Sequence, residues 1–507
     1  MPGTSPYDTY TSPLAARNAS PEMCRLWSPR HKFQTWRKIW LAVAEAQHEV
    51  TSGWAGTSGT GSSGPLVTKE QIEELRANLE VTDDDMRLAE KYEAELRHDV
   101  MAHVHAWGDK CPKARPIIHL GMTSQDVVCN ADARIMESAG SSIMLKLARL
   151  IVALGDEAIQ YHRLPTLGFT HYQAAQPVTV GRRTANWASD LHEVYVHFYI
   201  THYEYLPTRG MRGATGTQAS FLALFDGDHE MVELFERVYF NCLEPRGYGN
   251  FVKTYPITGQ TYPRLTDALL LADLASIAAV LHKIATDIRL LSNRKEIDEP
   301  FGKNQIGSSA MPYKRNPMMC ERICGLARFV MNLVGNAYDT AATQWLERTL
   351  DDSSNRRLSL PEAFLALDGA LDLMHQVASG LVVHEAMVRK NLMAELPFLA
   401  TENIMMEAVK AGGDRQDLHE KIRVHAQAAG MRVKQEGLDN DLIERLRQDP
   451  AFKSVHHLLT EDQLLDPMKY IGRSIEQTER FLREVVEPLR ERYAEDLAKL
   501  GSCDRGV

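Results

Sequence analysis

Seven apolar residues mark one long rod in the middle of the chain. Leu270, Leu274, Ile277, Leu281, Ile284, Ile288 and Leu291 follow one another at alternating steps of four and three. Such steps keep side chains on one stripe of an α-helix, and a stripe sustained this far belongs to a rod packed into a bundle. The spacing predicts a helix over 265–291, roughly 40 Å long at 1.5 Å per residue. Two further stripes predict companions. Ile143, Leu147, Leu150 and Leu154 share one face of a helix expected over 130–161. Phe364, Leu367, Leu371, Met374 and Leu381 share a face of another, expected to start at Pro361 and end near Val383, because proline is favoured in a first turn. The C-terminal third predicts shorter helices broken at Pro397, Gly412-Gly413 and Pro467. Alternating strand patterns are scarce, so the fold class is mainly α with a central bundle of long helices.

Charge narrows the function. Asp plus Glu number 67 against 57 for Lys plus Arg, a formal net charge of −10 over 507 residues. Non-specific nucleic-acid binding needs a basic surface, so it is not expected. Any anionic ligand must be held by a local basic cluster. Seven cysteines without a CxxC pair predict neither a disulfide framework nor a structural zinc site, and point to the reducing cytoplasm. The first twenty residues lack the apolar core of a secretory signal. The apolar stretch from Ala268 to Ala285 is interrupted by Asp273, His282 and Lys283, so no membrane span is expected. Thr51 to Gly64, dominated by Gly and Ser, predicts a flexible surface loop.

The chemistry is expected between the rods. Gly307-Ser308-Ser309-Ala310-Met311-Pro312-Tyr313-Lys314-Arg315-Asn316-Pro317 cannot form a regular helix, because of its two prolines and its Gly-Ser-Ser run. It exposes backbone N–H groups, hydroxyls, a lysine and an amide together, which suits a carboxylate and a developing oxyanion. His98, His103 and His105 have the spacing H-x4-H-x-H, which fits no metal-binding pattern. His119 is a further candidate near the same block. From Lys314 to Arg357 seven basic residues meet five acids, and arginine forks pair well with phosphate and carboxylate.

The loop fills every fixed position of the signature G-S-x-x-M-x-x-K-x-N, with Gly307, Ser308, Met311, Lys314 and Asn316. It resembles the fumarase/aspartase superfamily. The form Met-Pro-Tyr-Lys-Arg-Asn-Pro resembles the adenylosuccinate lyases, of the animal and fungal type. So do Arg17 with Ser12-Pro13-Leu14, Arg97-His98-Asp99-Val100, Thr123-Ser124, Thr170-His171, Gly259-Gln260-Thr261-Tyr262 and Thr349-Leu350-Asp351-Asp352-Ser353, in the family's order. The resemblance implies a mainly α, three-domain fold, here 1–123, 124–383 (the central bundle with the signature loop) and 384–507. It implies elimination of fumarate from adenylosuccinate and from SAICAR, without metal or organic cofactor. It also implies a homotetramer with active sites shared between subunits.

What it implies for residues is specific. Ser308 is the base, His171 the general acid, Glu321 its carboxylate partner, and Lys314 a cation near the base. His98 is a further catalytic residue. Arg17, Arg322, Ser353 and Arg357 resemble the phosphate contacts. Asp99, Thr123, Ser124, Thr170, Gln260, Asn316 and Arg348 resemble other substrate contacts. Two departures stand out: Asn18 replaces the usual tyrosine, where its amide is expected to donate to phosphate. Ala174 or Ala175 replaces a proline, which is expected to loosen the loop carrying His171. The signature alone also fits argininosuccinate lyases and carboxymuconate cycloisomerases. An inactive helical nucleotide-binding scaffold is the alternative of another class.

Overall fold

The computed structural model describes residues 8–52, 65–204, 208–243, 253–460, 464 and 466–500. The Gly/Ser-rich stretch lies outside them, except for Thr51 and Ser52. The helices are α1 (Pro21–Leu26), α2 (Pro29–Thr51), α3 (Lys69–Ala77), α4 (Asp83–Leu96), α5 (Asp99–Lys110), α6 (Ser124–Gln160), α7 (Val180–Glu204), α8 (Ala219–Leu224), α9 (His229–Leu243), α10 (Leu265–Asn293), α11 (Met318–Ala342), α12 (Asp352–Ala378), α13 (Glu385–Leu399), α14 (Thr401–Lys410), α15 (Arg415–Met431) and α16 (Leu442–Gln448), followed by short helical turns to Leu500. The strands β1 (Pro165–Thr170) and β2 (Gln173–Thr179) form one antiparallel hairpin; β3 (Ile297–Asp298) and β4 (Val382–Val383) form a two-residue pairing.

The chain packs as two compact units. The first comprises Met1–Met144, Val194–Ala279 and Leu326–Ala370; the second comprises Leu145–Glu193, Val280–Gly325 and Leu371–Val507. In the first, Trp36, Trp40 and Trp107 share a buried core with Phe221, Phe235 and Tyr239. In the second, Ile404, Leu418, Leu442, Leu446 and Phe452 form a core among the C-terminal helices.

The predicted rod is present as α10, and all seven stripe residues are buried. The companion expected from residue 130 starts earlier, at Ser124. Asp126 in its first turn accepts the Thr123 N–H at 2.8 Å, satisfying a donor that a helix start leaves free. The third rod also starts earlier, at Asp352, so Pro361 is inside α12 rather than at its start. Proline there removes one i→i−4 hydrogen bond. Leu360, Ala363 and Phe364 beside it are buried, and that packing offsets the loss. The helix ends at Ala378, which leaves Leu381 outside it and puts Val382 and Val383 in β4. Pro397 likewise does not break its helix, which continues to Leu399. By length and composition α6 and α10 could each cross a bilayer, but 78% and 56% of their most apolar windows are buried inside the protein.

Candidate active site

In the first unit, several chain segments converge on a cavity of about 720 Å³. The turn between α4 and α5 supplies Arg97, His98 and Asp99. The start of α6 supplies Thr123 and Ser124. The loop before α10 supplies Gln260, and the start of α12, with Arg348 before it, supplies Ser353 and Arg357. Eight residues predicted from sequence thus line one space.

Local chemistry shapes each contribution. Arg97 ends α4 in the left-handed conformation, with φ 53°, so the chain reverses sharply and His98 becomes the N-cap of α5. Its Nδ1 accepts the Met101 N–H at 3.3 Å, so the neutral ring carries its proton on Nε2. That nitrogen is 3.4 Å from Ser124 Oγ. Asp99 accepts from the Val100 N–H at 2.8 Å and from Arg357 at 2.9 Å. Burial opposes its ionisation, but Lys32, the Val100 N–H and Arg357 hold its carboxyl below the usual range. Thr123 is fixed through Asp126, which is fully buried and also accepts from Arg209, from the Arg212 N–H and from the Gly213 N–H.

The arginines are largely matched by buried acids. Asp352 takes Arg264 at 2.7 Å and Arg348 at 3.3 Å, and Arg348 also donates to Gln260 Oε1 at 3.1 Å. Arg356 is held by Asp267 at 2.6 Å, Asp132 at 3.0 Å and the Tyr262 hydroxyl. This network positions the start of α12 with little net charge. Lys32, Asp132, Arg264 and Arg356 line the same cavity and were absent from the predicted set. Lys32 sits in an ordinary amphipathic helix, and nothing in its local pattern distinguishes it. The paired arginines are legible only once their acids are brought beside them.

The second unit holds His171, Ser308, Lys314 and Glu321. His171 and Tyr172 form the two-residue turn between β1 and β2, with φ 53° and 56°. Both positive angles define a turn that favours Asn-Gly, so two bulky residues there are strained by about 1–3 kcal/mol each. The turn leaves His171 exposed at the hairpin tip. At the Ala174 or Ala175 departure, Ala174 pairs with Phe169 and Gln173 with Thr170, so the ladder runs up to the turn. Thr170 and Tyr172 line a separate cavity of about 700 Å³.

The signature loop has no regular structure, as its prolines require. Ser308 Oγ accepts the Met311 N–H at 3.1 Å, and the Asn316 amide donates to the Gly307 carbonyl at 2.8 Å, closing the loop on itself. Lys314 is exposed, with no carboxylate within 4.0 Å among the described residues. Glu321 is exposed in the first turn of α11, whose start is capped by Glu299 through the Met319 and Cys320 N–H groups at 3.0 and 2.9 Å. Arg322 follows on the same turn. Among the described residues, no hydrogen bond or ion pair within the chain joins His171 to Glu321.

Other candidates fall away from these groups. Arg17 is exposed on the helical turn Leu14–Asn18 and does not line the 720 Å³ cavity. One N–H of the Asn18 amide donates to the Pro13 carbonyl at 2.8 Å, and an amide nitrogen carries two such donors. His119 accepts the Trp40 indole N–H at 3.0 Å, and burial lowers its pKa to about 4, which marks a structural histidine. His103 stacks on Phe33 with 3.6 Å between ring centroids, and burial again lowers its pKa to about 4.

Comparison with known proteins places this arrangement. Residues 67–332 match the family described as Lyase, and residues 397–481 match the adenylosuccinate lyase C-terminus. The adenylosuccinate lyase of Saccharomyces cerevisiae is 47% identical over 480 residues, 95% of each chain. That of Schizosaccharomyces pombe is 47% identical over 482 residues, also 95% of each. The fold is shared with the 3-carboxy-cis,cis-muconate lactonizing enzyme of Pseudomonas putida, with a TM-score of 0.78 at 22% identity, covering 94% of this chain and 99% of that one. Identity of that order across nearly the whole length, with both halves matched, shows that the chain belongs to the adenylosuccinate lyase family.

Proposed function

We propose that the protein cleaves adenylosuccinate to AMP and fumarate, and SAICAR to AICAR and fumarate, by β-elimination. The observation that carries this reading is the near full-length identity to adenylosuccinate lyases, and the cationic cavity is consistent with it. Breaking the C–N bond requires a base to take a proton from the carbon beside a carboxylate, and an acid to protonate the departing nitrogen. The intermediate carbanion is tolerable only if its charge spreads into that carboxylate, which needs donors around it. Ser308 is the base: its hydroxyl loses its proton under the field of Lys314 and nearby N–H groups. His171 is the acid, since imidazole titrates near neutrality. Glu321 orients that imidazole. Arg357 and Ser353 hold the phosphate, and Gln260, Arg348, Thr123 and Ser124 the rest of the substrate.

The working form is a cytoplasmic homotetramer with shared sites. Leu265, Leu269 and Leu290 on α10, Val196 and Ile200 on α7, and Phe329 and Tyr338 on α11 are all exposed, and apolar faces on long helices favour burial against further copies. Incubation of purified protein with adenylosuccinate, following the purine absorbance, tests the activity, with argininosuccinate as control. Turnover of argininosuccinate but not adenylosuccinate overturns the reading.

A further inference from the structure

Among the described residues, two cations that line the 720 Å³ cavity have no carboxylate within 4.0 Å: Arg97, which is exposed, and Lys32, which is partly buried. Arg264 and Arg348 share Asp352, Arg356 is held by Asp267 and Asp132, and Arg357 pairs with Asp99. Lys32, on α2, lines the same space. Among the described residues, it has no carboxylate within 4.0 Å and no hydrogen-bond acceptor for its ammonium. Its Nζ instead rests over two ring faces, 4.8 Å from the centroid of Trp36 and 5.2 Å from that of Phe33. Ring faces attract a cation but accept no strong hydrogen bond, so the donors remain available and the stem is held in place.

Its surroundings suit an anion. Burial and the positive charge of Arg357 both lower the Lys32 pKa, against the opposing pull of Asp132, Asp99 and Glu93. A dianion placed beside Lys32 and Arg357 would relieve both penalties at once. A nucleotide phosphate carries close to two negative charges at neutral pH, whereas Arg357 already shares its charge with Asp99.

We propose that Lys32 is a direct ligand of the substrate's phosphate, sharing the dianion with Arg357. This rests on the reading of the cavity as the phosphate end of an adenylosuccinate site.

The test uses AMP, adenosine and fumarate as separate probes of the assembled enzyme. With Lys32→Met, inhibition by AMP weakens about 10- to 100-fold, the range of a lost charge-assisted contact. The KM for adenylosuccinate rises in step. Inhibition by adenosine, which lacks the phosphate, and by fumarate stays within twofold, and Lys32→Arg recovers most of the AMP affinity. Equal weakening of AMP and adenosine, a change confined to fumarate, or no change at all overturns the proposal. A second measurement needs no variant: acylation of the wild-type protein, read by mass spectrometry at Lys32. AMP protects Lys32 and adenosine does not; equal labelling in both cases overturns the assignment. A wild-type protein that does not turn over adenylosuccinate refutes the proposed activity, while the labelling result still decides the role of Lys32.

Discussion

Gly307 opens the signature loop, and the loop folds back so tightly that a side chain there has no room. A Cβ built on it would meet the Lys314 carbonyl oxygen at 2.2 Å and the Arg315 Cα at 3.0 Å. Real Cβ contacts stay above 3.0 Å, so Gly307→Ala forces the two strands of the loop apart by about 0.8 Å. The partner is backbone and cannot rotate away, as a flexible side chain could. The displacement falls between Ser308 and Lys314, the proposed base and the cation proposed to activate it. A misplacement of about 1 Å at reacting groups costs about 100-fold in rate. The loop is largely exposed, so the fold loses little: a melting temperature within about 2 °C of wild type is expected. The assay is kcat for adenylosuccinate, with AMP inhibition as a control for the cavity in the first unit. A variant that keeps a third or more of wild-type kcat, while melting normally, refutes the argument that the spacing of Ser308 and Lys314 is held by this contact.

Replacing Ser308 with Ala should abolish elimination but leave AMP affinity intact; more than about a tenth of wild-type kcat would assign the base elsewhere, since general base catalysis is worth about 100- to 10,000-fold. Inactive His171→Ala and Ser308→Ala proteins, dissociated and reassociated together, should regain activity, because mixed assemblies contain sites with neither defect; verified exchange without activity ends the shared-site reading. Tyr172→Gly should raise the melting temperature by relieving the strained turn, by about 1 kcal/mol, and lower kcat; a fall in both would show that Tyr172 contributes packing instead. Burial lowers the pKa of His103, His119, His202 and His375 to about 4 from 6.5. Each is neutral when folded and takes up a proton on unfolding, so their stabilisation is complete above pH 6.5 and is lost as the pH falls toward 4. The melting temperature should hold above pH 7 and decline below 6.5; a flat profile from pH 7 to 5 would contradict those buried environments.

The long rods and the irregular signature loop were legible in the chain, because each depends on neighbours within a few turns or a few residues. The stripe of α10 is a local periodicity, and the signature from Gly307 to Pro317 is a local run of residue types. Boundaries were less legible. Pro361 signals a helix start by its own geometry, but buried Leu360, Ala363 and Phe364 carry α12 through it, and only packing supplies that energy. The turn at His171 was equally hidden: a His-Tyr pair has no preference for left-handed backbone, and the ladder from Thr170 to Gln173 holds it there. Lys32, Arg264 and Asp132 come from distant parts of the chain, and nothing near any of them in sequence marks it. The chain by itself determined where the long helices form and where helix is interrupted at the signature loop, since those follow from short-range sterics and hydrophobic period. The tertiary structure alone decided which charges are neutralised by a buried partner and which remain available to a ligand, because electrostatic pairing acts through space between segments that the sequence keeps far apart.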